Sequence, residues 1–99
     1  MSEIMVHVIE NGSLVLVAAC DRNLIGKTFR RGRLRLEVRE SFYGGSVATV
    51  AEAVKAMAEA DVVNLVGHRA IDAALKAGLA DSRAVMRIDG VPHLQIVKL

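Results

Sequence analysis

Six of the thirteen Lys and Arg residues of this chain fall in one run, KTFRRGRLRLEVR, at positions 27–39. The wider window 21–39 holds seven bases (Arg22, Lys27, Arg30, Arg31, Arg33, Arg35, Arg39) against Asp21 and Glu37, a surplus of +5. The whole chain carries only +2, so the remainder sums to −3. A strongly basic segment on a slightly acidic body suits a polyanion partner. Arginine favours this chemistry because its planar fork pairs with phosphate oxygens. If residues 33–40 form a strand, Arg33, Arg35 and Arg39 share its outer face, with neighbouring outward side chains about 6.6 Å apart. Lys27, Arg31, Arg33, Arg35 and Arg39 are then the expected phosphate contacts. Tyr43 is the expected stacking ring, and Phe42 is expected in the core. The same pattern also fits a solvated, charged strand that guards a sheet edge.

A second constellation lies at Asn64, Gly67, His68 and Arg69. Glycine at the carboxyl end of a strand lets a helix start at once, and helix N-termini favour anions. His93 and Gln95, near the end of the chain, are two polar groups on an apolar strand face. Together these six could line an anion or nucleotide pocket. An ordinary strand-to-helix turn and a hydrogen-bonded core histidine account for them more simply.

Other chemistry is excluded more firmly. Gly26-Lys27-Thr28 is not a phosphate-binding loop, because that motif needs glycine at position 21, where Asp21 stands. Cys20, His7, His68 and His93 have no metal-ligand spacing, so neither a metal nor any other cofactor is expected. A Cys20–His93 nucleophilic pair depends on their meeting in space.

These residues need elements to carry them. Asn11-Gly12 between apolar runs at 4–10 and 13–20 predicts a tight hairpin with Glu10 facing Ser13, Val8 facing Val15 and Val6 facing Val17. Both faces of that ribbon are apolar, so both must be covered, by other elements or by a second copy. Strict alternation at 33–40 predicts a half-buried strand with Leu34, Leu36 and Val38 inward. Thr49-Val50-Ala51-Glu52 is a capping box opening a helix to about residue 60, with Val50, Val54, Met57 and Ala58 as its apolar stripe. Residues 62–66 read as a buried strand and 68–77 as a helix ending at Gly78. Residues 84–88 and 91–97 read as strands joined at Asp89-Gly90, which sets His93 opposite Met86. The strands at 62–66 and 84–88 should run parallel.

The expected fold is therefore α/β (α+β). It is one small domain over residues 1–99, a mixed sheet of about six strands in the order β-β-β-α-β-α-β-β, packed by two helices. The chain is 53% hydrophobic with only three aromatics, so its core is aliphatic. No apolar run is long enough for a membrane helix, and the first ten residues do not resemble a signal peptide. With a single cysteine, the expected location is the cytoplasm and no internal disulfide is expected.

The stretches AACDRNLIGKTF, LRLEV, SFYGG, VNLVGHRAIDAAL and IDGVPHLQ, in this order and spacing, resemble the archaeal domain-of-unknown-function family 424. The matching positions are Cys20, Asp21, Gly26, Lys27, Phe42, Tyr43, Gly44, Asn64, Gly67, Gly90, Pro92, His93 and Gln95. His68 stands where relatives would carry an acid. The resemblance implies a loose association with archaeal translation and RNA genes, and no particular activity.

Three functions follow as expectations. The leading one is a non-enzymatic module for RNA or ribonucleoprotein. Another is a small anion- or nucleotide-binding protein or enzyme. The last is a structural homo-oligomer, with a homodimer that buries part of the first hairpin.

Overall fold

The computed structural model describes residues 3–98. The chain opens with β1 (Ile4–Asn11) and β2 (Leu14–Asp21), then a 3-10 turn at Arg22–Leu24. Next come β3 (Thr28–Arg31), β4 (Leu34–Glu37), the single-turn helix α1 (Glu40–Tyr43), β5 (Ser46–Ala48) and α2 (Val50–Glu59). It ends with β6 (Val62–Val66), α3 (His68–Lys76), a 3-10 turn at Ser82–Ala84, β7 (Met86–Ile88) and β8 (Val91–Val97). Six strands form a mixed sheet in the order β5-β1-β2-β6-β8-β7, and β3 and β4 form a separate two-stranded sheet. The α+β class and the six-stranded mixed sheet match the pattern in the sequence.

Several details differ. The sixth strand of the sheet is β5 instead of the segment 33–40, and α1 adds a third, single-turn helix to the two expected. The basic segment is a hairpin, not one strand. Gly32, at φ +60, reverses the chain between Arg31 and Leu34, so Arg33 sits in the turn. The β3 sequence TFRR has no apolar alternation to announce it, because Phe29 alone anchors it inward. In the first hairpin the turn residues are Gly12 and Ser13, with Asn11 extended and facing Leu14. Positive φ is needed only at Gly12, so Val8 faces Val17 and Val6 faces Ala19. The slip is by two positions and leaves each side chain on its expected face. β6 and β7 run parallel, but β8 lies between them, antiparallel to both. Finally, α2 buries Ala53 and Met57, while Val50 and Ala58 are exposed. The i, i+4 pair Ala53 and Met57 sets the buried stripe, and Val50 starts the helix outside it. The capping box of Thr49 and Glu52 is formed as expected.

The sheet is covered on both faces by this chain. On one face Ile4, Val17, Ala19, Val63, Leu65 and Leu94 meet α2 and α3 through Ala53, Met57, Ala70, Ile71 and Ala74. On the other face Ala18, Cys20, Val66 and Ile88 meet Leu36, Val38 and Tyr43, with Phe29 and Phe42 packed at the margin. His7 fastens this second layer, because its Nδ1–H donates to the Phe42 carbonyl at 2.9 Å. The apolar ribbon therefore finds its cover within the chain over its inner half. Its outer end stays exposed, with Val8 at 48% and Leu14 at 47%.

Cys20 and Tyr43 lie inside the second layer. Burial pushes the Cys20 thiol up to about 12, helped by the neighbouring Asp21 charge. Burial also pushes the Tyr43 phenol to about 12, helped by Cys20. The ordinary values are 9.0 and 10.0, so above about pH 9 the unfolded chain sheds protons that the folded chain keeps. Stability should be intact below pH 9 and fall as pH rises toward 12. Urea midpoints measured from about pH 7 to pH 11 should drop above pH 9, and Cys20→Ala with Tyr43→Phe should flatten the drop. A midpoint constant to pH 11 would refute this placement of the two groups.

Candidate functional site

The β3–β4 hairpin carries the basic cluster. Thr28 faces Glu37, Phe29 faces Leu36, Arg30 faces Arg35 and Arg31 faces Leu34. Its root is held by backbone bonds, Gly26 N–H to the Val38 carbonyl at 2.7 Å and Val38 N–H to the Lys27 carbonyl at 2.9 Å. Phe29, Leu36 and Val38 seat that root on the sheet. Toward the tip the ribbon is exposed, and Leu34 is 49% exposed although it shares a face with Phe29 and Leu36.

Lys27, Arg30, Arg31, Arg33, Arg35 and Arg39 are all exposed. One carboxylate, Glu37, pairs with both Arg35 and Arg39. Among the described residues, Lys27, Arg30, Arg31 and Arg33 have no ion pair. Arg30 stands directly opposite Arg35, an arrangement of like charges that destabilises a strand pair. The expected row of Arg33, Arg35 and Arg39 is thus replaced by Arg35 and Arg39 on either side of Glu37, with Arg30 across the ribbon from Arg35 and Arg33 at the tip. Arg30 is absent from the expected phosphate contacts. The residue that signals it is Gly32, which closes a turn between two short strands. Tyr43 offers no stacking surface. It is 5% exposed, because the single turn of α1 directs it onto the sheet, where the Phe42 ring meets it edge-on at 4.9 Å.

The second constellation is built around a parallel pair. β2 and β6 lie side by side with Cys20 opposite Val66, so the next residues, Asp21 and Gly67, come together at the carboxyl ends. Asp21 is 7% exposed. Its carboxylate accepts from Arg69 N–H at 3.1 Å and from Ala70 N–H at 2.9 Å, in the first turn of α3. Gly67 is at φ +105, and a Cβ there would lie 2.4 Å from the Asp21 Cγ. The chain's own carboxylate thus takes the seat the helix start offers an anion. A cleft of about 670 Å³ opens beside it, lined by Glu3, Asp21, Arg22, Asn23, His68 and Arg69. Arg22 pairs with Glu3 at 2.7 Å across its rim.

The six expected pocket residues do not converge. Asn64 and Gln95 face each other on the sheet side opposite α3, and His93 lies there between Val66 and Met86. The sheet separates them from His68 and Arg69. His93 is half-buried, and burial holds its imidazole below the ordinary value. Cys20 and His93 are carried by strands on either side of β6, two strand spacings or about 9–10 Å apart. With its thiol protonated to about 12, Cys20 is a packing residue. Among the described residues no cluster of His, Cys, Asp and Glu could hold a metal ion. No described helix is long and apolar enough to cross a membrane.

The fold and this hairpin define a small α+β protein that displays an arginine-rich ribbon on a two-layered sheet. Residues 9–99 match the family described as "Protein of unknown function (DUF424)", and the chain belongs to that family. This is the family its five motifs resemble. The structure is similar to the crystal structure of an uncharacterized conserved protein from Methanopyrus kandleri, with a TM-score of 0.77 and 27% identity over 99% of this chain and 95% of that one. No curated protein matches the chain.

The contact between Asp21 and Gly67 yields a double-mutant cycle. Asp21→Ala strands two N–H groups at the helix start and should lower stability by about 2–3 kcal/mol. Gly67→Ala forces a Cβ into the carboxylate at positive φ and should cost at least about 2 kcal/mol. The double variant should lose less than the sum by at least about 1 kcal/mol, because the new Cβ enters space the carboxylate has left. Additive losses in chemical denaturation would show that the two positions do not meet.

Proposed function

We propose that this protein is a non-enzymatic RNA-binding module that serves the translation apparatus and engages RNA through the β3–β4 hairpin. One observation carries the reading. Arg30 and Arg35 face each other on an exposed ribbon, and Lys27, Arg31 and Arg33 add charge with no carboxylate to meet it. A fold tolerates opposed guanidiniums more readily when their ligand is an anion. The alternatives have less behind them, because Asp21 is engaged in capping α3 and the Cys20 thiol is held protonated.

Binding of a mixed-sequence RNA pool, followed by fluorescence anisotropy, should weaken steeply with salt. Arg30→Gln with Arg33→Gln should flatten the log–log slope by more than one unit, at about 0.7–0.9 for each phosphate no longer neutralised. Its melting temperature should stay near wild type, since both side chains are exposed. RNA left unbound at about 50 mM salt would end this reading.

A second reading, a homodimer, rests on a different surface. β5 pairs with β1 only from Ile4 to Val6, so the outer edge of β1 beyond Val6 has no strand partner among the described residues. Val8 and Leu14 are exposed near the same end. A second copy would bury them through strand addition at that edge. Sedimentation should show mass rising above 10.6 kDa with concentration, and Val8→Lys should abolish the rise. A single 10.6 kDa species at all micromolar concentrations would exclude the dimer.

A further inference from the structure

We infer that the ligand of the hairpin is a nucleic-acid double helix, specifically RNA in double-helical form, held by its phosphates without base readout. This rests on the RNA-binding reading above. Three observations carry it.

The first is charge density. Arg30 and Arg35 lie two and three residues from Gly32, so the outer part of the ribbon is about 7 Å long. Four arginines, Arg30, Arg31, Arg33 and Arg35, occupy that length. A duplex presents one charge per about 1.7 Å of axis, roughly four over the same span, whereas one strand presents about two. Arg30, Arg31 and Arg33 have no carboxylate partner and Arg35 shares Glu37 with Arg39, so the tip carries three to four cations, nearer the roughly four charges of a duplex than the about two of a single strand.

The second is direction. Neighbouring strand residues point to opposite faces. Arg30 and Arg35 therefore project from one face of the ribbon and Arg31 from the other, with Arg33 at the end. Cations on both faces suit a ribbon lying between two phosphate rows. A single strand would run along one face and leave the other unmatched.

The third is the placement of the aromatics. Binding of single strands draws on exposed rings that stack with bases. All three aromatics of this chain serve the second core layer. Tyr43 is buried, and Phe29 and Phe42 are half-buried against it. Recognition of an RNA duplex through phosphates and shape needs no such ring.

The test compares a labelled RNA stem-loop with a stem of about 12 base pairs against a labelled oligouridine of equal length, each titrated with the full chain. At about 100 mM salt the stem-loop should bind at least about threefold tighter. Its log–log salt slope should approach about −3.6, against about −1.4 for oligouridine, from 0.9 and 0.7 per phosphate. Changing the sequence of the stem should alter affinity less than about twofold, because phosphate contacts carry no sequence information. Arg31→Gln with Arg33→Gln should lower the stem-loop slope by about 2 by the same rule, with an unchanged circular dichroism spectrum. Oligouridine bound as tightly as the stem-loop, or with an equal slope, would overturn the duplex assignment and leave the RNA reading standing. If neither RNA binds at about 50 mM salt, both readings fail together.

Discussion

The Asp21 carboxylate at the start of α3 is the constraint around which the rest is arranged. It ends β2, and Gly67 ends the parallel neighbour β6. Between them they admit a helix whose first amides are met by an internal anion rather than by water. The geometry works only because position 67 has no side chain. Once α3 is docked this way, Ala70, Ile71 and Ala74 face the sheet and the larger core closes over it with α2. An arrangement that resembles a ligand site at the carboxyl end of a parallel pair is here a structural fastening.

The two faces of the sheet divide the work. The helix side holds Met57, Leu65 and Leu94 in a continuous aliphatic core. The other side is thinner. A buried thiol, a buried phenol and a few aliphatic residues support a ribbon whose own strands are four residues long. The hairpin borrows its stability from Phe29, Leu36 and Val38 at the root, so its outer residues are free to be arginine. Charge is gathered where packing makes no demand.

Much of this was legible in the residues. The capping box at Thr49 and Glu52, the Asp89-Gly90 turn and the strand-glycine-helix junction at Gly67 are each set by local chemistry that no distant contact overrides. The first hairpin shows the limit. Asn11 and Gly12 form a familiar turn pair, but Gly12 with Ser13 closes an equally tight turn, and only packing of the completed sheet chooses between them. The basic hairpin was half visible. Leu34, Leu36 and Val38 announced β4, whereas β3 is held by pairing and by Phe29, which leaves no periodicity to read. Tyr43 went astray for a related reason. Next to arginines it reads as a surface ring, yet its burial follows from the direction of a single helical turn. Near Gly67 the residues suggest a place for an external anion, whereas the carboxylate at the helix start is the chain's own Asp21, 46 residues upstream, a distance over which spacing carries no information.

The separation of charge between ribbon and body has a kinetic side. A segment at +5 set against a remainder at −3 makes the molecule an electric dipole. In the field of a polyanion such a dipole turns before it touches. It presents the arginine tip first. Encounters are thereby preoriented, and a larger share of collisions begins in a productive pose.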